Sequence, residues 1–216
     1  MTDRTPAHDP GCTACPRLAG YLSDIAIRWP DYHAAPVPSF GADAPPLLVV
    51  GLAPGLHGAN RTGRPFTGDY AGVLLYRTLH RFGFASAAES LAADDGLRLA
   101  GCRIVNAVKC VPPQNKPIGS EISNCNEYLR HELDSQPDAP VVLALGRIAH
   151  QAVLRALGLR AAHHPFAHGA RHPLPQGRVL CDSYHYSRYN LQTRRLTEAM
   201  FVDVFEALMP DVRRAG

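Results

Sequence analysis

Three groups of residues in this chain combine types and spacings that can do chemistry. The run Gly51-Leu-Ala-Pro-Gly-Leu-His-Gly-Ala-Asn-Arg-Thr-Gly-Arg-Pro-Phe-Thr-Gly-Asp69 is rich in glycine. Gly51, Gly55, Gly58, Gly63 and Gly68 allow main-chain N–H groups to turn toward an anionic or polar ligand without Cβ clashes. The run has neither the Lys-Ser/Thr ending of a P-loop nor GxGxxG spacing. A loop this long in a compact domain is usually functional. The second group is two cysteine pairs, Cys12-x2-Cys15 and Cys110-x14-Cys125. Four thiolates suit tetrahedral zinc or an iron–sulfur cluster, and ligand type alone does not choose between them. The third is Ser183-Tyr-His-Tyr-Ser-Arg-Tyr-Asn190, which sets His185 just past an apolar run. Cys102 and Cys181 lie inside apolar runs and read as small core residues. The tract His163, His164, His168, His172 has no regular ligand spacing and reads as a polar loop.

The elements that must position these groups follow from apolar periodicity. Short Val/Leu/Ile-rich runs at 46–52, 102–108 and 140–146, with a fourth at 178–183, read as strands buried on both faces. Helical spacing covers Ala71–Phe82, Ser120–Leu133 (with Ser120 or Ser123 as cap), Arg147–Leu157 and Thr193–Met209. Alternating strand and helix predicts an α/β fold, a three-layer α/β/α sandwich around a parallel sheet. In such a sheet, ligands sit at the carboxyl ends of the strands, where the glycine-rich run and His185 fall. The segment 161–177, rich in Pro, Gly and His, reads as a loop or short hairpin. Residues 1–11 read as a flexible N-terminus, and 12–216 as a single domain.

Composition narrows the classes. The chain has 216 residues, 46% of them hydrophobic and 19% charged, which suits one packed domain rather than a disordered chain. No apolar stretch approaches the ~18–20 residues of a membrane span, and the N-terminus lacks the apolar core of a secretory signal. The expectation is a cytoplasmic monomer. In that reducing compartment, clustered cysteines suggest metal binding or catalysis rather than disulfides. Net charge is +3, and of 22 basic residues only Lys109 and Lys116 are lysine. Arginine forks suit phosphate oxygens, although surface solvation explains them equally well.

The glycine-rich run, the segment Asn106-Ala-Val-Lys-Cys-Val-Pro-Pro113 and the late Ser-Tyr-His-x-Ser-x-x-Asn element, in this order, resemble the uracil-DNA glycosylase superfamily. Within it, Gly51-Leu-Ala-Pro followed by Gly-x-Asn-Arg-Thr-Gly-Arg-x-Phe-Thr-Gly-Asp is similar to the family 5 (type B) enzymes. Family 4 enzymes carry an acidic residue where this chain has Leu52. The resemblance runs from about Cys12 to the final helix. It implies a four-stranded parallel sheet and a structural 4Fe–4S cluster on Cys12, Cys15, Cys110 and Cys125. It also implies excision of uracil, and of other deaminated bases such as hypoxanthine, in base excision repair. Phe66 matches the aromatic that stacks on the flipped base, Asn106 the amide that reads its edge, and His185 the histidine facing uracil O2. Asp69 matches the acid of family 5. The late motif of the family usually reads His-Pro-Ser, and here it is His185-Tyr186-Ser187.

These assignments define a mechanism by expectation. The target base leaves the duplex at a cost of a few kcal/mol. Ser187, Arg188, Tyr189 and Asn190 lie on the loop that could fill the space, and Tyr186 or Tyr189 could stack there. Arg61, Arg64, Lys109 and Lys116 are candidate phosphate contacts. His185 and N–H groups around Gly51, Leu52 and Ala53 would stabilise the departing anion, while Asp69 orients water or merely caps a helix. A non-catalytic iron–sulfur or zinc module that binds DNA is the alternative, but it leaves Asp69, Asn106 and His185 without a task. An acyl hydrolase is disfavoured by the lack of a GxSxG elbow.

Overall fold

A computed structural model describes residues 8–135, 141–186, 190 and 193–214. Its strands are β1 (Phe40–Gly41), β2 (Leu47–Gly51), β3 (Cys102–Asn106), β4 (Val141–Leu145), β5 (Arg171–Pro173) and β6 (Val179–Ser183). Its α-helices are α1 (Pro16–Arg28), α2 (Ala59–Thr62), α3 (Tyr70–Arg81), α4 (Gly119–Asp134), α5 (Arg147–Ala156) and α6 (Glu198–Arg214). The strands form one sheet in the order β1-β3-β2-β4-β6-β5. The inner four run parallel, with Leu47 beside both Cys102 and Val141. β1 and β5 add antiparallel at the two edges. The four-stranded parallel sheet is therefore the middle of a six-stranded mixed one. Neither edge strand has a long apolar run, because β1 has two residues and β5 ends in Pro173, which only an edge tolerates.

Alternate strand residues serve opposite faces. Leu47, Val49, Ile104 and Leu143 pack with Leu74, Leu75 and Leu79 of α3 and with Phe201 and Phe205 of α6. Leu48, Val50, Val105 and Val142 pack with Leu129 and Leu133 of α4 and with Ala152 and Val153 of α5. Full burial of each large aliphatic side chain is worth about 1.5–3 kcal/mol. Cys102 and Cys181 are core residues. A third cluster joins Leu18, Leu22 and Ile25 of α1 to Val108, Cys110, Val111 and Cys125. Sequence reasoning passed over α1, although Pro16 at its first turn and those three spaced apolar residues were the signal.

Two helix starts differ from expectation. Ser120 and Ser123 lie inside α4, whose first turn is closed by Glu121 Oε2 accepting from the Ile118 N–H at 2.9 Å. α6 begins five residues beyond Thr193, where Thr197 Oγ1 accepts from the Met200 N–H at 3.2 Å. Among the described residues no helix is long and apolar enough to cross a membrane. The strand order reverses between β2 and β4, so a crevice opens beyond their carboxyl ends.

Candidate active site

β2 ends at Gly51 with no room for a side chain. A Cβ there would lie 2.6 Å from Phe66 Cζ and would collide with Asn106 Oδ1. The ring and the amide therefore converge on bare backbone. The carbonyls of Gly51 and Leu52 accept from the N–H groups of Ala107 and Val108, both at 2.9 Å, which ties the loop to the chain after β3. Asn106, the last residue of β3, is 3% exposed, and its Oδ1 has no hydrogen-bond partner among the described residues. Such an orphaned acceptor costs about 1–3 kcal/mol, which a ligand could return.

Phe66 holds φ +58°, an uncommon conformation for a bulky residue. The turn is braced by Tyr76, whose hydroxyl donates to the Pro65 carbonyl at 2.7 Å, and by Thr67 Oγ1 lying 2.6 Å from Ser90 Oγ. Arg64 completes the brace. Its guanidinium donates to Ser90 Oγ at 2.9 Å, to Asp95 Oδ1 at 2.8 Å and to the Ala93 carbonyl. Burial pulls the Asp95 carboxyl upward, but Arg64 and three backbone N–H groups hold it down at about 2. Arg64 is 4% exposed, so it is no phosphate contact. It holds the 90–95 loop against the Phe66 turn.

Asp69 occupies the N-cap position of α3 but makes no side-chain cap. Its carboxylate instead crosses the loop, where Oδ2 accepts from the Ala59 N–H at 3.1 Å. A Cβ on Gly58 would overlap that carboxylate, which explains the glycine. Burial raises the Asp69 pKa; the N–H groups of Ala59 and Gly55 and the charge of Arg61 oppose the rise. The helix-cap reading is thereby corrected, since the geometry aims the carboxylate at the glycine-rich loop.

His185 follows β6, with its Cβ against Gly146 and its carbonyl accepting from Asn190 Nδ2 at 2.7 Å. Burial lowers its pKa, so the ring is neutral at pH 7. These parts share one cavity of about 400 Å³, lined by Leu52, Ala53, Phe66, Asp69, Asn106 and His185. Tyr70, Asn115 and Tyr186 line it as well. Tyr70 and Tyr186 stack with ring centroids 5.7 Å apart and planes 10° apart. Sequence reasoning missed Tyr70 and Asn115. The only signal for Asn115 was its turn between Pro113 and Pro117, where Gln114 and Asn115 both have positive φ.

The remaining candidates divide. Lys109 is 2% exposed, donates from Nζ to Ser39 Oγ at 3.0 Å and faces Glu132, so the phosphate role is withdrawn. Burial lowers its pKa to about 8. Arg61 and Lys116 are exposed; Arg61 Nε donates to the His57 carbonyl at 2.7 Å. Asn190 steadies the His185 loop. Ser187, Arg188 and Tyr189 lie outside the described residues.

Away from the cavity, Cys12, Cys15, Cys110 and Cys125 line a single recess between α1, α4 and the loop after β3. Cys125 Sγ accepts from the Lys109 N–H at 3.2 Å, and Asn124 Nδ2 lies 3.6 Å from Cys15 Sγ. None of the four is in a disulfide. Tetrahedral zinc, with Zn–S near 2.3 Å, would set sulfurs ~3.8 Å apart. Among the described residues, the one trio of His, Cys, Asp or Glu donor atoms mutually within 4.8 Å lies elsewhere, so these sulfurs are spread more widely.

Comparison with known proteins agrees with this geometry. The model of the uracil DNA glycosylase superfamily matches residues 38–209. The type-5 uracil-DNA glycosylase of Thermus thermophilus is 50% identical over 210 residues, 95% of this chain and 94% of that protein. That of Mycobacterium leprae is 43% identical over 202 residues, 90% and 88% of the two chains. The type-4 uracil-DNA glycosylase of Pyrobaculum aerophilum is 32% identical over 161 residues, 71% and 72% of the two. With the glycine floor, amide, carboxylate and imidazole around one cavity, this chain belongs to the uracil-DNA glycosylase superfamily, among its type-5 members.

Proposed function

We propose that this protein hydrolyses the N-glycosidic bond of uracil in DNA. The observation that carries the reading is the buried Asn106 Oδ1, without a hydrogen-bond partner among the described residues, set beside the Phe66 ring and in the same cavity as a neutral His185. Phe66 offers a face on which an extruded base stacks. Asn106 accepts from the ring N–H and donates to the adjacent carbonyl. That lactam edge is common to uracil and hypoxanthine, which supports a range of deaminated bases. Cytosine presents the reverse pattern and leaves the amide mismatched.

Bond cleavage leaves negative charge on the base and positive charge on the sugar. A neutral imidazole donates to the base anion without itself losing a proton, and one such donor in a dry site is worth about 3–4 kcal/mol. Asp69, ionised, orients water and offsets the sugar cation. Among the described residues lining the cavity none is lysine, so water rather than an amine takes the sugar carbon. Exposed Arg61 and Lys116 suit phosphates of the flanking backbone. The substrate places the enzyme with the DNA, at the first step of base excision repair.

Cys12, Cys15, Cys110 and Cys125 would hold a 4Fe–4S cluster. Four thiolates suit either group, but no three of these sulfurs lie mutually within 4.8 Å, and that spread supports the cluster over zinc. Bound there, the cluster would supply a cross-link rather than redox chemistry, tying α1 to α4 and to the loop that leaves Asn106.

Base release from an oligonucleotide with a single uracil tests the reading, with cytosine and hypoxanthine duplexes alongside. Release of uracil is expected. A folded protein that binds the strand and frees no base would be the non-catalytic module.

A further inference from the structure

We propose that His150, His172 and Asp182 form a binding site for a divalent cation of the zinc class, beneath the His185 loop. The three come from α5, β5 and β6, and their donor atoms all lie within 4.8 Å of one another. They are buried, with Asp182 at 0% exposure. Neither the cavity nor the cysteine recess includes them.

Hydrogen-bond bookkeeping identifies the ion. His150 Nε2 faces the His164 carbonyl at 2.8 Å, so it must carry hydrogen. In the neutral ring Nδ1 is then a lone pair, yet it faces Asp182 Oδ1 at 2.8 Å. Two lone pairs at that separation need a positive species between or beside them. A proton would serve this contact alone. It would leave His172 Nε2 and Asp182 Oδ2 buried, 3.4 Å apart, with no hydrogen-bond partner among the described residues. One cation answers all four atoms. Ligand bonds near 2.0–2.1 Å in a tetrahedron set donor atoms ~3.4 Å apart; His172 Nε2 and Asp182 Oδ2 stand at 3.4 Å, His150 Nδ1 and Asp182 Oδ1 at 2.8 Å, and the trio within 4.8 Å. A carbonyl that fixes the tautomer of a histidine ligand is the usual outer support of such sites. The rings of Phe166 and His164, each with its centroid 5.6 Å from that of His150 or His172, wall the site. An ion here would join α5 and the β5–β6 hairpin three residues before His185.

The test uses the full chain, stripped of loose metal with a chelator and titrated with cobalt(II) and then with zinc. Nitrogen and oxygen ligands give weak visible d–d bands, whereas thiolates add an intense near-ultraviolet band, so the two sites are told apart. The wild-type minus His172→Phe difference spectrum should show d–d bands alone, about one equivalent strong. Zinc should abolish them and raise the melting temperature of the wild type. Asp182→Asn, which keeps the volume, should lose the same bands. A difference spectrum that is blank or of thiolate character overturns the proposal. So does a wild-type melting temperature that zinc leaves unmoved, a measurement that needs no variant to fold. Either result would leave the trio sharing a proton.

Discussion

Gly51→Ala is the sharpest probe of the cavity floor. The added methyl would lie 2.6 and 2.7 Å from two Phe66 ring carbons, where ordinary contacts run 3.4–4 Å, and it would overlap Asn106 Oδ1. The ring must retreat by ~1 Å, and the amide must turn with it. The only room for that is the cavity itself, since Phe66 and Asn106 are both buried and the Phe66 turn is clamped by Tyr76 and Arg64. Overpacking of this kind costs about 1–3 kcal/mol of stability. A misplacement of about 1 Å around the reacting base costs on the order of 100-fold in rate. Single-turnover release from a uracil oligonucleotide, below the melting temperature of the variant, measures the loss. Gly119→Ala, whose Cβ would meet nothing within 4 Å, is the control. A folded Gly51→Ala enzyme within about threefold of wild type would refute the placement of the base on this floor.

Other expectations follow from the same geometry. Asn106→Ala should slow uracil release more than it weakens DNA binding, and equal losses would remove its role at the base edge. Asp69→Ala should cut turnover by more than about tenfold in a steady-state assay; an unchanged rate leaves the carboxylate a brace for the glycine loop. Release should stay level from pH 7 to 8 and fall on acidification, because burial keeps the His185 imidazole below its ordinary pKa and lifts the Asp69 carboxyl, which protonates sooner than an ordinary carboxylate. The folded Asp69 pKa is raised, so wild type loses stability as pH rises from the ordinary carboxylate value through the raised one. Asp69→Asn should therefore melt higher than wild type at pH 7, with the gap closing toward pH 4. Arg64→Met should cost about 1–3 kcal/mol in a denaturant melt, because it removes the donor to Ser90 Oγ and the Ala93 carbonyl and unpairs Asp95. It should leave the salt dependence of DNA binding unchanged, whereas Arg61→Ala lowers that slope by about one. Freshly purified protein should be yellow-brown, and Cys110→Ser should bleach it. A colourless wild type with one zinc in the cysteine recess would overturn the cluster.

Much of this was legible along the chain. Val/Leu runs this short, bounded by Gly and Pro, read as strands covered twice, so the inner sheet and its flanking helices follow from local pattern. The glycine-rich run, Asn106 and His185 fall at strand ends, which in a parallel sheet is one place. What residue types could not reveal was which polar side chains face water. Arg64 and Lys109 have the composition of phosphate contacts, yet packing turned Arg64 into a brace for Phe66 and enclosed Lys109 beside Glu132. Asp69 sits where a cap belongs, but its carboxylate found the N–H of Ala59 across the loop rather than its own helix. His172 looked like one of four loop histidines until the β5–β6 pairing set it beside Asp182 and His150. Periodicity is a property of neighbours in sequence, so it determines elements and their buried faces. The partner of a charge is chosen by residues tens of positions away, and only the assembled layers decide it.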